Sequence, residues 1–234
     1  MNKINWNLEK AVWSDKIKSM IPRWSVLKQL EKNYLVKSSF IWFMLVPVFA
    51  KFLEKFGGLV VINFNSVNYT FNLSLPFSWQ LFFYSACFFA AGSIVVKLFC
   101  PKVVMEHDNY KEFSEFGKSW PQINGYVIKL FYNNMSLQFP KQTREKVNSY
   151  LKIFHNTEFV ENQNYSGDVV RFLQANRRSE NENQAFWYVY TSANNHLILK
   201  RVFASVFYAF GFSLLIVVAI QNIKYVINAS NIVG

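Results

Sequence analysis

SWQLFFYSACFFAAGSIVVK, residues 78–97, and VFASVFYAFGFSLLIVVAIQNI, residues 202–223, decide the fold class. The first closes a run from Phe56 to Val96 without one charged side chain, and the second is uncharged from Val202 to Ile223. A water-soluble helix or strand keeps a charged face toward solvent, so runs of this length are foreign to a soluble domain of this size. At ~1.5 Å per residue, about 20 apolar residues span the roughly 30 Å hydrocarbon layer of a bilayer. Both segments meet that length, and the chain reads as an integral membrane protein.

Composition leaves room for a water-facing part: of 234 residues, 52% are hydrophobic and 19% aromatic, yet 17% are charged. The placement of the formal charge of +11 says more than its size. Residues 1–38 carry eight Lys or Arg against three acids, 97–201 carry fourteen against ten, 57–76 carry none, and only Lys224 follows Ile223. Positive charge is retained beside the anionic cytoplasmic leaflet, which puts the N-terminus and the 101–200 region in the cytoplasm. With crossings at 77–97 and 202–222 alone, the eight N-terminal cations would lie outside, so a third crossing is expected in 39–62. Pro47 kinks it, as membrane helices tolerate, and Lys51, Glu54 and Lys55 sit toward its outer end. A cation near the bilayer centre costs roughly 2.5–3.5 kcal/mol; Glu54 offsets part of this, and Lys stems can snorkel to the interface. Nucleic-acid binding is the competing reading of a pI near 9.6. The cations flank membrane segments and the central region is nearly balanced, so no direct nucleic-acid contact is expected.

The expected organisation is mainly α. A basic amphipathic segment (1–38) leads into a transmembrane helical hairpin (39–100), a small, mostly helical cytoplasmic domain (101–200) and a C-terminal transmembrane helix with a short tail (201–234). That makes three transmembrane helices in a multi-pass protein. After Pro22, Trp24, Leu27, Leu30 and Tyr34 recur at three and four residues, while Arg23, Lys28, Lys32 and Lys37 lie mostly off that face. Such a helix either lies on the membrane surface with these cations toward headgroups, as Trp6 and Trp13 upstream would, or packs its apolar face on the protein's own soluble domain. The uncharged, Asn- and Ser-rich stretch 63–75 reads as a short exoplasmic connection. The small residues Ala90, Ala91, Gly92 and Ser93 let another helix approach closely. In 102–200, Phe113, Phe116 and Trp120 suggest a helix stopped by Pro121, and Val127–Tyr132 reads as a helix or a strand. Val147, Tyr150, Leu151 and Phe154 form a helical stripe, Ser166 is a candidate cap, and 177–183 is a polar hinge.

No reaction is legible. His107 in Met105-Glu106-His107-Asp108 has metal-capable neighbours, but adjacent residues point apart, so the segment reads as a solvated turn rather than a metal helix. Gly117-Lys118-Ser119 lacks the upstream glycine of a phosphate loop, and Cys87 and Cys100 read as packing residues. No catalytic residue, metal or cofactor is expected.

The segment Lys37-Ser-Ser-Phe-Ile-Trp42-Phe-Met-Leu-Val-Pro47-Val-Phe-Ala-Lys51-Phe-Leu-Glu54 keeps the order aromatic-x-x-Leu-Val-Pro-x-x-Ala-Lys. It resembles the first membrane segment of small bacterial membrane proteins encoded in antiphage loci, nearest the transmembrane effectors that accompany retron reverse transcriptases. The resemblance implies a toxin-like effector of the bacterial inner membrane. A cytoplasmic partner, the reverse transcriptase with its reverse-transcribed nucleic acid, would hold it inactive until release lets it disrupt the membrane and kill the host cell. On that reading Lys51, Glu54 and Lys55 line a water-filled path, and the small-residue patch drives homo-oligomerisation. The residues alone equally allow a membrane-anchored adaptor or a small channel or transporter subunit.

Overall fold

The computed structural model describes residues 20–55, 59–64, 67–72, 78–132, 136–160, 163–175 and 181–230. They form α1 (Trp24–Lys32), α2 (Tyr34–Lys55), a hairpin of β1 (Leu59–Phe64) and β2 (Val67–Asn72), α3 (Trp79–Phe99), α4 (Lys102–Glu106), α5 (Tyr110–Glu115), α6 (Trp120–Phe131), α7 (Lys141–His155), α8 (Tyr165–Ala175), α9 (Glu182–Asn194) and α10 (Ile198–Ser230). Two compact units result: Met1–Pro22, Val26–Phe99 and Ile198–Gly234 form one, and Arg23–Ser25 with Cys100–Leu197 the other.

In the first unit α3 packs against both α2 and α10. Trp79–Phe99 and Ile198–Asn228 are long and apolar enough to cross a membrane by length and composition, whereas Tyr34–Phe49 is a shorter apolar helix. The expected continuous segment 39–62 is divided. The helix ends at Lys55 and residues 59–64 are a strand. Gly57 and Gly58 are the weakest helix formers after proline, and the β-branched Val60-Val61-Ile62 that follows favours the extended chain. The connection expected at 63–75 is therefore largely the second half of a hairpin. Trp6, Trp13, the hinge residues 177–180 and the side chains of Glu54 and Lys55 lie outside the described residues.

The second unit is helical. Pro121 starts a helix instead of stopping one. Ser119 is its N-cap, Gln122 Oε1 accepts the Ser119 N–H at 2.9 Å, and proline in the first turn has no N–H to leave unsatisfied. The same helix runs through Phe131, so Val127–Phe131 is not a strand. Val147, Tyr150, Leu151 and Phe154 are the buried face of α7. Ser166 does not cap α8, which begins one residue earlier; its hydroxyl accepts the N–H of Phe139 at 2.8 Å. Asn124 links the core helices: its amide donates to the Leu173 carbonyl at 3.0 Å and accepts from Tyr150 at 2.8 Å.

Candidate functional site

Two glycines set the contact between α3 and α10. A Cβ on Gly92 would stand 3.1 Å from the Tyr208 ring, and one on Gly211 would stand 2.8 Å from the Phe89 ring. Each helix thus offers a notch to an aromatic ring of the other. Polar bonds fix the same interface: Ser85 Oγ donates to the Gly211 carbonyl at 2.8 Å, Ser93 Oγ meets Tyr208 Oη at 3.3 Å, and Gln221 Oε1 accepts the Ser78 N–H at 3.0 Å. Of the four small residues singled out in the sequence, Gly92 and Ser93 are buried against the chain's own C-terminal helix, while Ala90 and Ala91 are half-buried. Gly92 and Ser93 pack within the chain, against Tyr208.

Between α2 and α3 lies an open groove lined by Leu35, Ser38, Ser39, Trp42, Phe82 and Ser85 among others. Its three hydroxyls are each spent on a backbone carbonyl, of Leu35, Val36 and Gly211 respectively. The hydroxyl protons of the groove are thus engaged within the chain, and the rest of its named lining is apolar. Lys51 is exposed on α2.

The basic residues behave unequally. Arg23, Lys32 and Lys37 are exposed, but Lys28 is only 2% exposed. Lys28 follows Trp24 by four residues and Leu27 by one, so helical spacing puts it on the buried face with them; its charge alone had argued for the outer face. Trp24 and Ser25, at the start of α1, belong to the second unit. The Trp24 indole N–H donates to the His196 carbonyl at 2.8 Å, Asn194 Oδ1 accepts the Ser25 N–H at 2.8 Å, and Asn194 Nδ2 donates to Ser25 Oγ at 3.1 Å. The first turn of α1 thus docks on the protein itself. Tyr34, 90% exposed, does not share the face, because α1 ends at Lys32 and a new helix begins. At the end of α3, Lys97 pairs with Glu31 at 3.4 Å and lies over the Phe40 ring at 5.3 Å. Lys200 lies over the Phe99 ring at 4.4 Å.

The second unit contains a polar cluster that sequence spacing did not disclose. Lys118 Nζ lies 2.6 Å from Glu106 Oε2, 3.1 Å from His107 Nε2 and 3.4 Å from Tyr126 Oη. Tyr126 donates to the same Glu106 oxygen at 2.7 Å. His107 is 1% exposed and walled by Phe113, Phe116 and Phe186. The solvated turn expected around it is a buried junction, because the aromatic residues of α5 and α9 close over the ring. Burial alone would raise the Glu106 carboxyl; the hydrogen bonds from Lys118 and Tyr126 and the charges of Lys118 and His107 outweigh it and hold the group below the usual carboxylate range. Burial and the bond to Glu106 push the Tyr126 phenol far above its ordinary value. The bonds among Glu106, Lys118, His107 and Tyr126 clasp α4, the 116–119 turn and α6 together.

No protein-family model, curated protein or solved structure matches the chain. Among the described residues no three His, Cys, Asp or Glu side chains converge as a metal site requires. Cys87 is half-buried and Cys100 buried.

Proposed function

We propose that this chain is a multi-pass protein of the bacterial inner membrane, non-catalytic, that disrupts the membrane through rearrangement of its helices when a cytoplasmic partner releases it. One observation carries the membrane part. Only 33% of the apolar window of α3 and 22% of that of α10 is buried. A core helix of a soluble protein hides most of its apolar surface; here Ile94, Leu98, Phe203 and Ile216 face outward. Lipid is the medium in which that surface is stable. The cations Lys97, Lys200 and Arg201 close the ends of α3 and α10 that border Cys100–Leu197, which favours a cytoplasmic second unit.

A third crossing by α2 completes the topology. At ~1.5 Å per residue, Tyr34–Phe49 reaches roughly 24 Å, short of the hydrocarbon thickness. Local thinning and snorkelling of Lys51 make up the difference. The effector role rests on the resemblance of residues 37–54 to retron-associated effectors, with a reverse-transcriptase ribonucleoprotein as the restraining partner. Inducible expression of this chain alone in bacteria, followed with a membrane-potential dye, tests it: depolarisation ahead of growth arrest is expected. Polarised, growing cells with abundant inserted protein would count against autonomous disruption. They would favour the second reading, a membrane-anchored adaptor, for which the separate core of the second unit argues. An adaptor would lose function through changes at exposed positions such as Phe116 and Trp187.

A further inference from the structure

The charge of this chain is unevenly distributed. It carries 25 Lys and Arg against 14 Asp and Glu, yet residues 106–116 and 182–190 together hold five of those acids and a single Lys. The two stretches include α5 and most of α9, which meet through aromatic rings: Tyr110 and Phe113 stand 5.8 and 5.1 Å from Phe186. Lys118 and Lys111 pair with Glu106 and Glu115, which leaves Glu112 and Glu182 without an ion pair among the described residues. Burial raises the Tyr190 and Tyr110 phenols, and the charges of Asp108 and Glu112 on the first and of Glu182 on the second raise them further, which places these acids around the rings. Two aromatic side chains of the cluster stay in water. Phe116, 67% exposed, joins it through His107 at 5.9 Å; Trp187, 42% exposed, lies 5.4 Å from both Phe186 and Tyr190. We infer that this face of the second unit docks a basic, arginine-bearing segment of a cytoplasmic protein, with guanidinium groups over the Trp187 and Phe116 rings and the neighbouring carboxylates as their counter-charges.

The chemistry selects that partner over the others a cytoplasmic surface meets. An anionic leaflet repels carboxylates that no cation neutralises, so the two rings do not face lipid. Nucleic acid is held by Lys and Arg that neutralise its phosphates, and these are scarce here. A cation on a partner gains twice, from the face of the indole and from the carboxylates beside it. Arginine takes both at once: its plane stacks on a ring while its edge donates paired hydrogen bonds to a carboxylate, where lysine offers a point charge. Tryptophan and arginine are also the residues from which interface hot spots are built. The remainder of the chain is basic, so a polycation is repelled elsewhere.

The inference deepens the proposed function, resting on its cytoplasmic placement of the second unit, by giving the partner a chemistry. The full chain in uncharged maltoside micelles is titrated with fluorescein-labelled nona-arginine and nona-lysine, read by fluorescence anisotropy. Saturable binding is expected, several-fold tighter for nona-arginine. Trp187→Ala, and Glu112→Gln combined with Glu182→Gln, should each weaken it several-fold; Trp187→Phe, which keeps a ring, should recover part of the loss. Glu158→Gln, outside the face, should change nothing. Nona-arginine tipped with benzoylphenylalanine gives a measure that needs no variant: on illumination it should label 106–116 or 182–190 of the unaltered chain. Absent binding, equal affinity for the two peptides, labels confined to other segments, or affinity untouched by Trp187→Ala and the Gln pair would overturn the inference. So would oligothymidine or phosphatidylglycerol vesicles whose binding Trp187→Ala abolishes, since the face would then serve nucleic acid or lipid. Depolarisation is read in cells and docking on the purified chain, so either reading can fail while the other stands.

Discussion

A methyl group at Gly211 would stand 2.8 Å from the Phe89 ring, and one at Gly92 would stand 3.1 Å from that of Tyr208. The first distance forces a buried ring to move; the second asks for a few tenths of an ångström. We expect Gly211→Ala to lower the unfolding midpoint of the chain in detergent by more than Gly92→Ala, at about 1–3 kcal/mol, the usual cost of overpacking. Adding Phe89→Leu to Gly211→Ala should recover part of the loss; no recovery would mean that the ring is not the obstacle. His155 poses a different residue-scale problem. Its ring lies among Trp120, Tyr150 and Phe172 with neither nitrogen hydrogen-bonded among the described residues, and burial lowers its pKa. In the unfolded chain the imidazole titrates near ~6.5. Its contribution is whole above that pH and is lost as pH falls toward the lower folded value, because the unfolded state binds the proton first. His196 is lowered too, by burial and then by Lys146, and adds to the same window. Near-ultraviolet circular dichroism should show stability falling from pH 7.5 to pH 5.5, and His155→Phe should make the fall shallower. An unchanged slope would clear His155 of the effect.

Elements were legible where a periodic pattern agreed with its surroundings. The α7 stripe and the two long apolar helices are of this kind. The polar clasp was hidden because Glu106, Lys118 and Tyr126 come together only when α4 and α6 pack, and no spacing along one helix encodes that. The hairpin was misread for a subtler reason. Only the second strand alternates, Tyr69 and Phe71 against Asn68, Thr70 and Asn72; in the first, Leu59-Val60-Val61-Ile62 is one apolar run, and without charge it merges with the neighbouring hydrophobic segment. Trp120-Pro121 looked like a stop because proline ends helices more visibly than it begins them. The docking of α1 hangs on Asn194, which serves Ser25 as both acceptor and donor. Asn194→Ala would leave the Ser25 N–H without its acceptor and is expected to cost about 1–3 kcal/mol. Faster proteolysis of the N-terminal segment is the measurement, and an undisturbed cleavage rate would show that Trp24 holds the turn alone.

At the scale of the whole molecule the question is sidedness. Reporters fused after Leu75 and after Gly234 should both read the exoplasmic side, and a third fused within the second unit should read the cytoplasm. A reporter at the N-terminus should read the cytoplasm; an exoplasmic signal there, with the second unit still cytoplasmic, would remove α2 from the membrane and leave α3 with α10 as a single hairpin. The length of α10 bears on what such a topology could transmit. Its 33 residues form a rod of about 50 Å, some 20 Å longer than the hydrocarbon it would cross. It starts at Ile198, the residue that follows Leu197 in the chain. The reciprocal notches at Gly92 and Gly211 key it to α3, so the two would turn as one lever, tilting rather than sliding, and a small deflection at the near end would arrive magnified at the far one.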